Sequence, residues 1–476
     1  MIRPAARGHM ATPRAKENPP MSKTTQHTPI ACAAVLLLTL PAALYAVDTP
    51  TPAKPNIIFI LADDYGIPGV GCYGGTYKTP NIDSLAAGGI RFERCFAAPL
   101  CAPSRALCMF GRYAFRTGVL DNGRGAAAKP DKEVSIAKTL RQAGYATALA
   151  GKWSQLSYLD TAEEGRAWGF DEFLRWDKSK GERYWKPAIN KNGQPVPVTE
   201  TSYGPDLHHE FVVDFIKRHR DGPFFVYYPT PLIHGPILRT PDSKEGGKGK
   251  AKGKGENPLY ADNIAYLDKL VGKLVAALDE MNLREKTLIV FTGDNGSVPV
   301  GTINGRSVDG HKSTLLEGGS RVPLIANWKG VTPPGRVLKD LVGFSDFYAT
   351  FAEMAGAKLP EGLTFDSQSF APQLRGEKGS PREWTYVQLG AKWYVRNDGW
   401  KLTEKGELFD MSDAPFAQKL VPADARSPEA KAAREQLQGV LDKLNPAAGE
   451  TKARKKADGD EQQKRERRKA KKAAKS

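Results

Sequence analysis

The sequence predicts an α/β fold: a large mixed, mostly parallel sheet flanked by helices, with a small C-terminal subdomain of antiparallel sheet plus helix. Three observations carry the prediction. Short apolar runs of strand type alternate with amphipathic helical stretches, as in a parallel sheet covered on both faces. Four of these runs end in polar clusters. Towards the carboxyl end the pattern changes to short alternating segments separated by turn signals.

Taken in order, PNIIFILADD places a continuous apolar run at Ile57 to Leu61, the pattern of a strand buried on both faces, with Asp63 and Asp64 at its carboxyl end. YATALAGKW runs into Lys152, PFFVYYPTPLIHGP into His234, and TLIVFTGDNG into Asp294 and Asn295. Between them lie the helix-like stretches SIAKTLRQAG, HHEFVVDFIKRH and DNIAYLDKLVGKLVAALDEM. The last repeats apolar residues at Ile264, Leu267, Leu270, Val271, Leu274 and Leu278. SRVPLIANW reads as a further strand and DFYATFAEMAGA as a helix. WTYVQLGAKWYVRNDGWKLTEKGELFDM alternates apolar and polar residues around turns at Asn397-Asp398-Gly399 and Lys405-Gly406, which predicts a small antiparallel sheet. SPEAKAAREQLQGVLDKLN supplies the closing helix. The expected organisation is a leader and signal peptide over 1–46, a catalytic domain over 47–365, a C-terminal subdomain over 366–445 and a basic disordered tail over 446–476.

The 476 residues are 40% hydrophobic and 26% charged, which excludes wholesale disorder. Of the formal charge of +16, half comes from residues 451–476, with twelve Lys or Arg against four Asp or Glu. That tail has no aromatic residue and only alanines as aliphatic ones, so it cannot build a core. Without aromatic interleaving or a recognition module, nucleic acid is not the main partner. At the other end, a short n-region from Met21 precedes an apolar run that closes on small residues near Ala46. It is too short and proline-interrupted for a stable membrane span and reads as a signal peptide, implying a periplasmic or secreted protein. Cys32 sits at the front of that run, which disfavours lipidation. The mature chain keeps Cys72, Cys95, Cys101 and Cys108.

Each polar cluster has an ordinary reading by itself. Asp-Asp after a strand serves as a helix cap or turn, Asp-Asn-Gly is a common turn, and a histidine between prolines is often structural. Ligands of open parallel sheets, however, bind outside the carboxyl ends of the strands. Clusters at four such ends therefore converge on one pocket. Three carboxylates and a carboxamide are hard oxygen donors, suited to Ca2+ or Mg2+ rather than zinc. Lys152 and Arg105 add positive charge, the second as a planar fork. Such a pocket suits a tetrahedral anion.

The stretch CAPSRALCMFGR, with Gly111-Arg112 closing it, lies downstream of the strand-terminal Asp-Asp. With AGKW, IHGP, TGDNG, GHKSTLLEGGSRVP and ELFDMSDAP, it resembles the type I sulfatases of the alkaline phosphatase superfamily over nearly the whole mature chain. The resemblance implies that Cys101 is oxidised by a formylglycine-generating enzyme to Cα-formylglycine, whose hydrate is the nucleophile for calcium-dependent hydrolysis of a sulfate ester. It also implies one Ca2+ held by Asp63, Asp64, the modified Cys101, Asp294 and Asn295. Arg105 and Lys152 would then hold the formylglycine hydroxyls and Lys312 a sulfate oxygen, while His234 and Lys312 help protonate the departing alcohol. A sulfated small molecule or polysaccharide, most simply a carbohydrate, is the implied substrate. A phosphodiesterase, phosphonate hydrolase or sulfamidase of the same superfamily stays open, as does a non-catalytic binder of sulfated polymers.

One position departs from the pattern. The family carries a histidine two residues after the lysine of GKW, assisting regeneration of the aldehyde; here the residue is Ser154. His311, beside Lys312, is a candidate replacement, as is water. Cys108 lies two helical turns after Cys101, about 10 Å along a helix axis and beyond disulfide reach, and reads as a core thiol. Cys72 and Cys95 are left to pair or not.

Overall fold

Ten strands form the principal sheet. In chain order they are β1 (Asn56–Ala62), β2 (Ile90–Phe96), β3 (Ala146–Gly151), β4 (Glu172–Trp176), β5 (Ile189–Lys191), β6 (Gln194–Pro195), β7 (Phe224–Tyr228), β8 (Thr287–Gly293), β9 (Arg321–Trp328) and β10 (Arg336–Gly343). Across the sheet the order is β10-β2-β9-β8-β1-β7-β3-β4-β5-β6. The run β8-β1-β7-β3-β4 is parallel throughout. β9 joins it antiparallel, between β8 and β2, and β10 continues parallel to β2. This computed structural model describes residues 54–153, 156–157, 159–177, 180–244 and 258–449. The leader, the signal cleavage point, most of the Gly/Lys-rich stretch, Ser154 and the basic tail lie outside the described residues.

β1 shows why a continuous apolar run is needed at the centre. Its side chains alternate between the two faces, and both faces are covered. Ile57, Phe59 and Leu61 join one apolar core, while Ile58, Ile60 and Ala62 join another. On the first face Phe59 packs at 4.7 and 5.3 Å between ring centroids on Phe347 and Phe351 of the helix Asp346–Met354. The helix Pro258–Glu280 covers the second face through Ile264, Leu267, Leu270, Leu274 and Leu278, all buried. With both faces closed, only the strand ends remain for chemistry. Among the described residues no helix is long and apolar enough to cross a membrane.

A second sheet of five antiparallel strands follows: β11 (Thr385–Leu389), β12 (Lys392–Arg396), β13 (Trp400–Thr403), β14 (Leu408–Asp410) and β15 (Lys419–Val421). Its Tyr386, Val395, Leu402 and Leu408 share the apolar core that holds Phe59. The closing helix Pro428–Leu444 starts from Ser427, whose side chain accepts from the Ala430 amide, and buries Ala430, Ala433, Leu437 and Leu441 along one stripe.

All four cysteines of the described residues are free thiols, so Cys72 and Cys95 do not pair. Cys108 is a buried core thiol, as expected; burial pushes it up to about 12.

The helix Gly204–Arg218 carries a buried histidine, His208, whose two ring nitrogens have no hydrogen-bond partner. Burial lowers its pKa from 6.5 to about 3. Below pH 6.5 the unfolded chain takes up a proton that the folded chain refuses, so stability is full above that value and lost as pH falls towards 3. By pH 5 the loss is about 2 kcal/mol. Urea unfolding of His208→Leu against the parent at pH 7 and pH 5 should show the variant gaining by that amount; an unchanged difference would place the acid sensitivity elsewhere.

Candidate active site

Four strand ends deliver six of the nine candidate residues. At the end of β1 the chain leaves through Asp63, whose amide and carbonyl pair with the backbone of Leu232 and Ile233 at 2.8 Å each. That pairing ties the β1 exit to the His234 loop. Asp64 follows in the left-handed region, φ 59°, a conformation aspartate tolerates better than most residues. Its amide donates to Asp294 Oδ1 at 3.0 Å. β8 delivers Asp294 and Asn295 between two glycines that neighbouring backbone requires. A Cβ on Gly293 would lie 1.9 Å from the Tyr65 carbonyl oxygen, and one on Gly296 1.7 Å from that of Gly318.

Cys101 opens the helix Cys101–Phe110 and is fully buried. Its Sγ lies 3.3 Å from Asp63 Oδ1, 3.6 Å from Asp64 Oδ1, 3.4 Å from Lys152 Nζ and 3.5 Å from Lys312 Nζ. One turn on, Arg105 donates from Nε and Nη2 to Asp294 Oδ2 at 3.1 and 2.7 Å, and from Nη1 to the Lys152 carbonyl at 3.1 Å. Lys152 Nζ donates to Asp63 Oδ2 and Lys312 Nζ to Asp64 Oδ1, each at 2.5 Å. Asn295 Nδ2 donates to Asp64 Oδ1 at 2.9 Å. His234 turns Nδ1 to the Gly235 carbonyl at 2.7 Å and holds Nε2 3.8 Å from Asp64 Oδ2. All nine residues expected from the sequence therefore meet in one pocket. His311 is exposed, with Nδ1 2.7 Å from the Lys312 carbonyl.

The electrostatics follow from this packing. Burial opposes the charge on Asp63, but Lys152 and Arg105 outweigh it and hold the carboxyl well below the usual carboxylate range. For Asp294, burial and the neighbouring Asp63 prevail and raise it to about 6. Burial and then Asp294 push the Cys101 thiol well above its ordinary value, so the encoded cysteine is a neutral, unreactive thiol. Burial also opposes the Lys312 charge, yet the neighbouring Asp64 and Asp294 carboxyls keep the ammonium above the ordinary lysine range.

Lys312 sits on a loop fixed from the second sheet. The loop carboxylate Glu317 is buried between Arg396 of β12 and Arg321, the latter at 3.2 Å. Lys401 of β13 donates to the Leu315 carbonyl at 3.2 Å. The small sheet thus holds the segment that brings Lys312 to the pocket.

Residues 55–357 match the Sulfatase family profile, well over half of the chain. The chain belongs to the sulfatase family. It is a type I sulfatase of the alkaline phosphatase superfamily and a sulfuric ester hydrolase. Human arylsulfatase A is 34% identical, over 73% of this chain and 72% of its own. N-acetylgalactosamine-6-sulfatase of Canis lupus familiaris is 30% identical, over 74% and 72%. The crystal structure of Ps i-CgsB in complex with k-i-k-neocarrahexaose is similar in fold, with a TM-score of 0.68 and 28% identity over 82% of this chain and 92% of that one.

In this sulfatase a hard cation finds suitable donors. Asp64 Oδ2 and Asn295 Oδ1 are buried without a hydrogen-bond partner, an arrangement that burial makes unfavourable unless a cation or donor arrives. Ligand atoms of Asp63, Asp64, Cys101 and His234 lie within 4.8 Å of one another. His234, expected only as an acid, thus also stands within reach of such an ion. Sequence reasoning missed Arg183 altogether. Its Nη1 lies 4.0 Å from Asp63 Oδ2, although it comes from the loop between β4 and β5, which carries no strand-end signal.

Proposed function

We propose that this sulfatase hydrolyses sulfate esters of carbohydrates, after export to the periplasm or the medium and after conversion of Cys101 to Cα-formylglycine. The observation that supports this best is the crowding of two carboxylates and two ammonium groups within 3.3 to 3.6 Å of one buried cysteine sulfur. A formylglycine hydrate at that position supplies one hydroxyl to attack sulfur and a second to expel the sulfate. Asp63, Asp64, Asp294, Asn295 and residue 101 would hold a Ca2+, which would supply charge to polarise the sulfate.

The chain's own residues do the rest. Arg105 fixes Asp294 and the Lys152 carbonyl, so the helix start that carries residue 101 and the strand ends keep one geometry. Lys152 and Lys312 flank residue 101 and favour its anionic oxygen and the sulfate oxygens. The Gly235 carbonyl accepts a hydrogen bond from Nδ1–H of His234, leaving Nε2 towards the pocket. His234 faces the departing alcohol as its proton donor; burial outweighs Asp63 and lowers its pKa, so its doubly protonated form is a strong acid towards that oxygen. As the S–O ester bond breaks, the alcohol oxygen leaves neutral.

Carbohydrate is favoured because a relative named for N-acetylgalactosamine 6-sulfate and a structure bound to a carrageenan-type hexaose both match most of the chain. Sulfate release from 6-sulfated N-acetylgalactosamine and sulfated galactan oligosaccharides should exceed that from 4-nitrophenyl sulfate by at least about tenfold in kcat/KM. Faster cleavage of a phosphate diester or of N-sulfated glucosamine would reassign the chain to the diesterase or sulfamidase branches. Exhaustive chelation should lower the rate by about 100-fold or more, with recovery on added Ca2+. Full activity in metal-free protein would contradict the calcium site.

A further inference from the structure

Arg183 is held in place by several independent contacts. Its guanidinium lies over the Trp176 ring, 4.3 Å from the centroid. The next residue, Tyr184, donates its hydroxyl to the carbonyls of Pro231 and His234 at 2.9 and 2.6 Å, which fastens the segment to the His234 loop. On the other side Gly204 donates to the Tyr184 carbonyl at 2.7 Å, and a Cβ there would meet the Arg183 carbonyl oxygen at 2.1 Å. The arginine is therefore aimed, not loose.

What it is aimed at is incomplete. Nη1 is buried and has no hydrogen-bond partner. The nearest carboxylate oxygen, Asp63 Oδ2 at 4.0 Å, already accepts from Lys152 at 2.5 Å. A structural ion pair would close to hydrogen-bond distance; this one stops short. A permanently charged guanidinium with an unpartnered buried nitrogen, in a pocket that also holds Arg105, Lys152 and Lys312, calls for an anion with several oxygens. Asp63 Oδ1 is 3.3 Å from Cys101 Sγ, so Arg183 stands one carboxylate away from the reacting centre. The sequence also has Ser154 where the resembled motif has a histidine, and Arg183 brings a basic side chain from a different segment.

We propose that Arg183 binds a non-bridging oxygen of the sulfate that is transferred, an inference that rests on the sulfatase reading above. Its place one carboxylate from residue 101 puts that sulfate within reach, more directly than a second anionic substituent elsewhere on the sugar.

The test uses the matured, calcium-loaded protein and Arg183→Met, which keeps a stem to pack on Trp176 and removes the charge. The dissociation constant of inorganic sulfate by calorimetry and KM for 4-nitrophenyl sulfate should both rise about 10- to 100-fold, with part of the loss restored in Arg183→Lys. Formylglycine content, calcium content and melting temperature should stay at the parent values. If Arg183→Met does not fold, Arg183→Lys is read alone, with a smaller rise expected in both constants. Inorganic sulfate affinity within about twofold of the parent overturns the proposal. So does a loss seen only with a doubly anionic sugar and absent with 4-nitrophenyl sulfate, which would place the contact on a neighbouring substituent. A parent protein that binds sulfate through Arg183 yet cleaves no sulfate ester would contradict the proposed function and not the Arg183 contact.

Discussion

Cys101→Ala is expected to remove sulfate release, lowering kcat by at least about 10⁴-fold, because the variant has no nucleophile and retains only the binding groups around it. Its fold should persist. The thiol is a small, neutral group at the start of a helix, and Asp63 and Asp64 keep their lysine partners without it. Cys101→Ser makes the sharper comparison. A serine hydroxyl in that place has one oxygen to attack with and no second hydroxyl to expel the product. Mass spectrometry should therefore show at most one turnover and a protein heavier by one sulfo group, SO3. Steady multiple turnover by Cys101→Ser would mean that the second hydroxyl is not needed.

Lys312→Ala should lower kcat/KM on sulfate esters by about 10²- to 10³-fold, the usual effect of deleting one preorganised donor to a developing oxyanion. Its position explains both the size of the effect and its separability from metal binding. Lys312 Nζ is 3.5 Å from the Cys101 sulfur and also donates to Asp64 Oδ1. Removing a positive charge from Asp64 favours any divalent cation held there. Calcium retention through dialysis should therefore be equal to or better than that of the parent while turnover falls. A parallel loss of calcium and activity would make Lys312 a structural support of the site and not a donor to substrate.

The pocket was legible in the sequence to the extent that its residues sit at ends of strands. Ile57 to Leu61 announce a doubly buried strand, and the continuous apolar run breaks after Ala62, so Asp63 and Asp64 stand where the chain leaves the sheet. The same logic reaches Lys152, His234 and Asp294. Cys101 and Arg105 were legible not through a strand end but through the CAPSR stretch and its resemblance to the sulfatase motif. Arg183 was not, because its place depends on a tyrosine hydroxyl reaching carbonyls some fifty positions away. Nor was the clamp on the Lys312 loop. Arg396 and Glu317 are 79 positions apart, and no local pattern in either segment points to the other. The pairing state of Cys72 and Cys95 was equally out of reach, since it depends on which surfaces the two strand-adjacent segments present. Cys95 is buried within β2, while Cys72 packs beside Asp83 and Arg91.

The central claim is that residue 101 acts as an aldehyde hydrate and not as a thiol. Mass measurement of the peptide spanning Cys101, taken from protein whose sulfate release has just been assayed, tests it most directly. The predicted peptide has lost the sulfur and two hydrogens of the cysteine side chain and gained one oxygen, in a fraction that tracks specific activity across preparations. Full specific activity from protein whose Cys101 peptide keeps the mass of an unmodified cysteine would contradict the account.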